Sequence, residues 1–269
     1  MKRRLVLKLG GELLEQPEDV QRLAAGIASM ARRASLVVVH GGGREIDAAL
    51  ATAGIPKRQI DGLRVTDART LDVVVSVLAG GINTRLVAAL RRAGASPVGL
   101  TGADSGVVTV RRAAPVASAA GKTVDLGLVG SPMNSGVPRL LTDLLARGYV
   151  PVVACLGATR AGQILNVNAD TLASHLAAQL GARRLVIAGG TAGVLDASGD
   201  TIEQLTSRGA ARLIRTGTAN QGMVAKLEAC RSALRTGVGD VVIANGRDAR
   251  LETLASARTL LSGCTQVVQ

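Results

Sequence analysis

Short, uninterrupted runs of Val, Leu and Ile alternate along the chain with longer stretches in which Ala and Leu recur at helical spacing. Runs of the first kind suit strands buried on both faces, and the longer stretches suit amphipathic helices. The pattern predicts strands at 3–8, 36–40, 96–100, 150–154, 184–188, 240–244 and 265–268. Helices are expected at 17–32, 44–53, 68–78, 83–93, 137–147, 169–180, 207–215, 222–236 and 251–255, with Gly80-Gly81 separating the third from the fourth. Residues 107–112 and 122–129 alternate like a hairpin with its tip at 119–121, and 198–204 holds a short strand or turn. Strands repeatedly followed by helices predict an α/β fold: an open, mainly parallel β-sheet sandwiched by helices. One domain over 1–269 is expected, with a soft boundary near Gly181 between two lobes.

Composition says how such a core is built. Hydrophobic residues make up 47% of the 269, yet Phe and Trp are absent and Tyr149 is the only aromatic. The core therefore rests on Ala, Val, Leu and Ile. No run approaches the roughly 18 uninterrupted apolar residues of a membrane span. The N-terminus enters a strand directly after Lys2-Arg3-Arg4. Cys155, Cys230 and Cys264 are odd in number, far apart and without metal-ligand spacing, which predicts a reduced, cytoplasmic protein. The net charge of +12 comes from 32 basic and 20 acidic residues, with doublets such as Arg32-Arg33, Arg91-Arg92, Arg111-Arg112 and Arg183-Arg184. Most doublets fall at predicted helix ends or hairpin tips, and no aromatic stacking platform accompanies them. Neither nucleic acid nor membrane is an expected partner, whereas small anionic substrates suit the field.

Candidate chemistry gathers at strand ends, where open α/β sheets bind their ligands. In Gln163-Ile164-Leu165-Asn166-Val167-Asn168-Ala169-Asp170, two amides and a carboxylate stand between a strand-like and a helix-like run. Lys8 closes the apolar strand Leu5-Val6-Leu7 and is followed by Gly10-Gly11. A lysine ending a buried strand is costly unless it meets an anion. His40-Gly41-Gly42-Gly43 feeds a helix whose free N–H groups suit an anion, although a tight turn explains the glycines equally well. His40 itself is expected to bond backbone at that turn. Gly121-Lys122-Thr123 imitates the end of a phosphate-binding loop, but Val116 stands where that motif needs Gly. The surviving pattern, cations and bare backbone facing amides and a carboxylate, predicts chemistry on phosphate.

These residues carry a resemblance. Lys8-Leu9-Gly10-Gly11, His40-Gly41-Gly42-Gly43, Gly62-Leu63-Arg64-Val65-Thr66, Asn166-Val167-Asn168-Ala169-Asp170 and Gly222-Met223-Val224-Ala225-Lys226 together resemble the acetylglutamate kinases of the amino-acid kinase superfamily. Asp125-Leu126-Gly127-Leu128-Val129-Gly130 and Gly148-Tyr149-Val150-Pro151-Val152-Val153 match as well, so the likeness covers nearly the whole chain in order. It implies transfer of the γ-phosphoryl group of ATP, with Mg²⁺, to the side-chain carboxylate of N-acetyl-L-glutamate in arginine biosynthesis. It also implies an N-lobe over 1–181 for substrate and dimerisation and a C-lobe over 182–269 for nucleotide. Lys8 and Lys226 would stabilise the transferring group, and Asp170 would hold both ammonium groups. Gly42, Gly43, Arg64 and Asn166 would bind substrate. Gly10 and Gly11, Gly190-Thr191-Ala192-Gly193-Val194-Leu195 and Thr218-Ala219-Asn220 would bind phosphate and nucleotide. Taken singly, Arg64 reads as a surface charge, Asn166 and Asn168 as helix caps, and Lys226 as a solvated helix face.

The chain also departs from that pattern. The family usually carries Ser/Thr-Asp where this chain has Gly189-Gly190, so a carboxylate on the nucleotide side is missing from its usual place. Weaker or less selective nucleotide binding is expected, and Gly190→Asp is expected to strengthen it. Because the chain opens on its first strand, the resemblance implies an arginine-insensitive homodimer paired through N-lobe helices. Two rivals stay open: a kinase of the same superfamily acting on an amino acid held by an acidic carrier protein, and a catalytically weakened ligand sensor.

Overall fold

The computed structural model describes residues 2–60, 62–117, 121–196, 198–219, 221–247, 253–254 and 263–269. Its centre is one eight-stranded sheet. In chain order the strands are β1 (Arg4–Leu9), β2 (Ser35–His40), β3 (Pro97–Thr101), β4 (Val150–Ala154), β5 (Arg184–Gly189), β6 (Gln204–Thr206), β7 (Asp240–Asn245) and β8 (Cys264–Val268). Across the sheet they run β6-β8-β7-β5-β1-β2-β4-β3. All pairs are parallel except β7 with β8. Successive residues of a strand face opposite sides, and β1, β2, β4 and β5 are buried at almost every position. Both faces of the central sheet are therefore covered, which explains why those strands read as continuous apolar runs.

The covering helices are α1 (Pro17–Arg33), α2 (Gly43–Thr52), α3 (Ala68–Val75), α4 (Asn83–Arg92), α5 (Arg139–Ala146), α6 (Ala169–Gln179), α7 (Ser207–Arg215) and α8 (Gln221–Arg235). Helices α1 and α4 pack together in one group, while α6 packs on β1, β5, β2 and α8 in another. From β1 the chain moves to β2 on one side and later to β5 on the other. The direction of winding thus reverses at β1, and the register aligns Leu9 with His40 and with Ala188. Their carboxyl ends open on one edge, the usual ligand edge of such a sheet.

Three elements differ from the sequence expectation. Gly80-Gly81 does not break a helix: α3 continues through a π-helical stretch, Ser76–Ile82, directly into α4. Val74, Leu78, Ile82, Leu86 and Leu90 are buried along it, and that common apolar stripe outweighs the low helix propensity of two glycines. By length and composition Ala68–Arg92 is apolar enough to cross a membrane, with 33% of that window buried. The hairpin also differs. Val110–Arg112 pairs with Gly130–Pro132, and only Val116–Ala117 pairs with Thr123–Val124. The segment between is drawn off by Thr66, whose N–H donates to Leu126 O at 2.8 Å while its own carbonyl accepts from Leu128 N at 2.6 Å. The hairpin tip at 118–120 and most of the helix expected at 251–255 lie outside the described residues. At 198–204 the strand begins only at its last residue and runs on as β6.

A buried histidine fixes the edge where the glycines begin. His40 is fully buried, and its Nε2 accepts from Asn83 Nδ2 at 3.0 Å while Nδ1 faces Gly41 O at 3.3 Å. The Asn83 amide also donates to Val152 O at 3.0 Å, tying helix α4 to β2 and β4. Room for it exists because residue 99 is glycine: a Cβ there would lie 2.2 Å from Asn83 Oδ1. Burial pushes the His40 pKa down to about 4, so the ring is neutral at neutral pH. The neutral-histidine contribution to stability is complete above about pH 6.5 and is lost as pH falls toward 4, about 3 kcal/mol in all. His175, shifted down by burial too, acts in the same sense. Urea unfolding at pH 7 and pH 4.5 should show this loss, and His40→Gln should flatten most of the pH dependence.

Candidate functional site

The chemistry begins with a lysine in the sheet. Lys8 is the fifth residue of β1 and is 6% exposed, and its Nζ lies 2.9 Å from Asp170 Oδ1. Burial alone would lower the Lys8 pKa, but the charge and hydrogen bond of Asp170, joined by the charge of Glu12, outweigh it and raise the value above the ordinary one. The ammonium therefore stays charged. Asp170 occupies the first turn of α6, where a negative side chain also complements the helix N-terminus. Asn168 caps that helix, its Oδ1 accepting from Thr171 N at 3.0 Å, a contribution of about 1 kcal/mol. Asn166 is not a cap. Its Nδ2 donates to Thr66 Oγ1 at 3.3 Å, and its N–H reaches Leu128 O, so the amide sits where three chain segments meet.

Two glycine turns meet over the end of β1. A Cβ added to Gly11 would lie 2.9 Å from Gly42 Cα and from Gly43 N, so only glycine permits this approach. A Cβ on Gly41 would lie 3.3 Å from Ala169 Cβ, which brings the same turn against the start of α6. Gly42 precedes α2 without a side-chain cap, leaving the leading N–H groups of that helix without intrahelical partners. Open space lies over Gly43. The N–H of Gly10 is committed to Ala188 O at 2.9 Å, so Gly10 shapes the turn rather than donating to a ligand.

Arg64 is anchored beside Gly43. Its Nη2 donates to Gly43 O at 3.2 Å and pairs with Asp47, and the side chain is 8% exposed. Nη1 is buried without a hydrogen-bond partner, a donor held ready at the opening of α2. A buried donor left unpaired is costly, and a planar fork with one arm anchored suits a carboxylate.

The other half of the edge comes from β5, β7 and α8. Lys226 is half-buried on α8, and its Nζ donates to Gly222 O at 3.4 Å. No ion pair joins it to Asp170 among the described residues, so Asp170 holds one of the two expected ammonium groups here. Lys226 nonetheless reaches the tip of β5, its Cε 3.5 Å from where a Cβ on Gly189 would stand. In the 190–195 segment, Gly190 N donates to Glu12 Oε1 at 3.0 Å. Val194 turns inward, with its N–H on Thr265 Oγ1 at 2.7 Å, so it braces the segment from the core side. Gly193 takes φ +113° and faces Thr265, Thr201 Oγ1 donates to Ala192 O at 3.3 Å, and Leu195 is 45% exposed. Thr191 is exposed on the same turn. Thr218 and Ala219 connect α7 to α8, with the Thr218 hydroxyl 2.9 Å from that of Thr216. Asn220 lies outside the described residues.

Sequence reasoning missed two residues here. Glu12 follows the Gly-Gly turn and reads as an ordinary surface acid, yet its carboxylate stands directly over Gly10, where a Cβ would be 2.4 Å from Oε2. A Cβ on Gly190 would lie 3.6 Å from Glu12 Cγ, so a carboxylate does stand beside Gly190, supplied by another segment. Arg247, after β7, bonds Asp19 Oδ2 at 3.0 Å and Glu12 O at 3.1 Å. That bond is the main cause holding Asp19 below its usual pKa. A separate cavity of 930 Å³ lies between α6 and α8, walled by Asn168, His175, Glu228 and Arg235, and the Lys8–Asp170 pair does not line it.

Residues 3–245 match the family described as Amino acid kinase family. The chain belongs to the amino acid kinase family. It is 44% identical over 245 residues to an acetylglutamate kinase of Solibacter usitatus, covering 90% of this chain and 91% of the relative. The acetylglutamate kinase of Bradyrhizobium diazoefficiens is 40% identical over 248 residues, 90% of this chain and 84% of that one. Among solved structures, N-acetylglutamate synthase from Neisseria gonorrhoeae, in complex with coenzyme A and N-acetyl-glutamate, superposes with a TM-score of 0.83 at 26% identity. That likeness covers 99% of this chain and 59% of the synthase, so the chain spans little over half of that protein.

The buried pair gives a stability test. Asp170→Ala leaves an uncompensated ammonium inside the protein and is expected to lower unfolding free energy by about 3–5 kcal/mol. Lys8→Met/Asp170→Leu should regain most of that loss in urea titration, and an unchanged midpoint in the single variant would refute the pairing.

Proposed function

We propose that this protein transfers the γ-phosphoryl group of ATP to the side-chain carboxylate of N-acetyl-L-glutamate, forming an acyl phosphate in arginine biosynthesis. The observation that carries the reading is Arg64 Nη1, a buried donor without a partner, beside the uncapped start of α2 and the turn that touches Ala169. Arg64 would grip the α-carboxylate, and Asn166 the acetamido group. The free N–H groups at Gly43 would receive the reacting carboxylate.

The substrate carboxylate is ionised at neutral pH, so no general base is needed. Its oxygen forms a bond to the γ-phosphorus as the bond from that phosphorus to the β,γ-bridging oxygen breaks, and ADP departs with the electron pair. Both reactants are anionic, so catalysis rests on alignment and on positive donors around the transferring group. Lys8 supplies a fixed ammonium from the substrate side and Lys226 a more mobile one from the nucleotide side. The turns around Gly190–Leu195 and Thr218–Ala219 would hold the nucleotide, with the exposed Leu195 offering an apolar face. Mg²⁺ would neutralise the phosphates, and among the described residues no cluster of three His, Cys, Asp or Glu is placed to hold it alone.

We also infer a homodimer. The outward side of Ala68–Arg92 carries Ser76, Gly80, Thr84 and Ala88, small residues that permit close approach, and the edge of β3 next to it is unpaired. The buried thiols Cys155, Cys230 and Cys264 form no disulfide, which fits a cytoplasmic enzyme.

Hydroxylamine trapping with MgATP should give hydroxamate with N-acetyl-L-glutamate and none with free glutamate. Arg64→Lys should raise the KM for N-acetyl-L-glutamate on the order of tenfold with a smaller change in kcat. Product only with a carrier-linked amino acid would replace this reading. Light scattering should report twice the 27.3 kDa chain mass, and a monomer would refute the dimer.

A further inference from the structure

Glu12 does not fit a site built only to receive anions. Its carboxylate stands over Gly10 at the end of β1, accepts the Gly190 N–H at 3.0 Å, and lies among the groups that would meet the phosphates. Its backbone is fixed from the far side, where Arg247 Nη2 donates to Glu12 O at 3.1 Å and Arg247 Nε is bound to Asp19. Glu12 Oε1 and Lys226 Cε flank one point above Gly189, 3.2 and 3.5 Å from where a side chain would begin there. Lys226 has only a long bond to its own helix, through Gly222 O at 3.4 Å, so nothing else described holds its ammonium toward the sheet edge.

We propose that Glu12 is the positioning residue of the nucleotide side, its carboxylate drawing the Lys226 ammonium over Gly189 to meet the transferring phosphate. This rests on the kinase reading above. Asp170 pairs with Lys8, and Glu12, whose charge also reaches Lys8, faces Lys226 from the β1 turn. The oxygen that accepts the Gly190 N–H, Oε1, is also the one that stands with Lys226 Cε over Gly189, and a carboxylate oxygen has room for a second donor. Gly190 allows this arrangement. A side chain at 190 would start 3.6 Å from Glu12 Cγ and 3.6 Å from Arg247 Nη1, in the same space. Asp at 190 would enter the space between Glu12 and Arg247, crowding the first and drawing the second from Glu12 O and Asp19, which reverses the expectation that Gly190→Asp alone strengthens nucleotide binding.

The test moves the carboxylate between the two positions. Glu12→Gln, Gly190→Asp and Glu12→Gln/Gly190→Asp are compared with wild type by MgATP calorimetry and steady-state phosphotransfer to N-acetyl-L-glutamate. Glu12→Gln is expected to lower kcat about tenfold, the scale of one charged hydrogen-bond partner, with the KM for N-acetyl-L-glutamate within about twofold. Gly190→Asp alone should weaken MgATP binding by about threefold or more, since the added side chain enters the space between Glu12 and Arg247 and disturbs the placing of both. The double variant should recover kcat to within about threefold of wild type, which a merely structural role for Glu12 does not predict. Glu12→Gln with unchanged kcat, or a double variant no better than Glu12→Gln, would overturn the assignment. Absence of phosphotransfer in wild type would instead overturn the kinase reading, and the calorimetric cycle would still report whether Glu12 and position 190 share one role.

Discussion

A charged lysine inside a sheet sets the terms for the rest of this molecule. Lys8 lies where β1 is flanked on both sides by parallel strands, and only 8% of its side chain is exposed. It can remain there charged only if an anion comes to it, and Asp170 does so from the first turn of α6. That requirement fixes where α6 must start, and therefore where Asn168 caps it and where Gly41 must pass close to Ala169. The buried cation and the local architecture are one constraint seen from two sides.

The turn after β1 is the second organising element, because it touches every other strand tip that contributes to the site. Gly11 packs on the Gly42–Gly43 backbone, Glu12 receives the Gly190 N–H, and a Cβ on Gly246 would lie 2.1 Å from Leu13 Cδ1. A short 3-10 turn, Gly11–Leu13, thus joins the end of β2 to the ends of β5 and β7. Glycine is required at these contacts because backbones or buried side chains approach within the space of a methyl group. Movement of one half relative to the other would have to pass through this turn.

Much of this was legible in the sequence for a plain reason. Buried parallel strands leave long apolar runs, and strand ends are marked by glycine and polar residues, so the sheet and the positions of Lys8, Gly42 and Asp170 could be read directly. What was not legible depends on contacts between distant segments. The continuity of Ala68–Arg92 is decided by five buried side chains on one stripe, not by its two glycines. The split of the hairpin is decided by Thr66, which competes for Leu126 and Leu128. Glu12 and Arg247 carry no local pattern, since they meet across 235 positions of sequence only after β1 and β7 are in the sheet. Nor does the sequence show that the space beside Gly190, where the carboxylate is absent, is taken by the Glu12 side chain from another segment.

The charges of the site follow a consistent rule. Two anionic reactants call for concentrated positive charge, but three cations crowded at one sheet edge would repel one another before any ligand arrived. At about 4 Å and an effective dielectric near 20, each like-charge contact costs about 4 kcal/mol. The fold meets this by setting an acid beside each cation: Asp47, which also pairs with Lys57, beside Arg64, and Asp170 beside Lys8. Lys226 has no such ion pair among the described residues, and Glu12 is the acid that flanks Gly189 with it. A site that followed the rule twice and broke it at the third cation would leave its most mobile donor without a restraint.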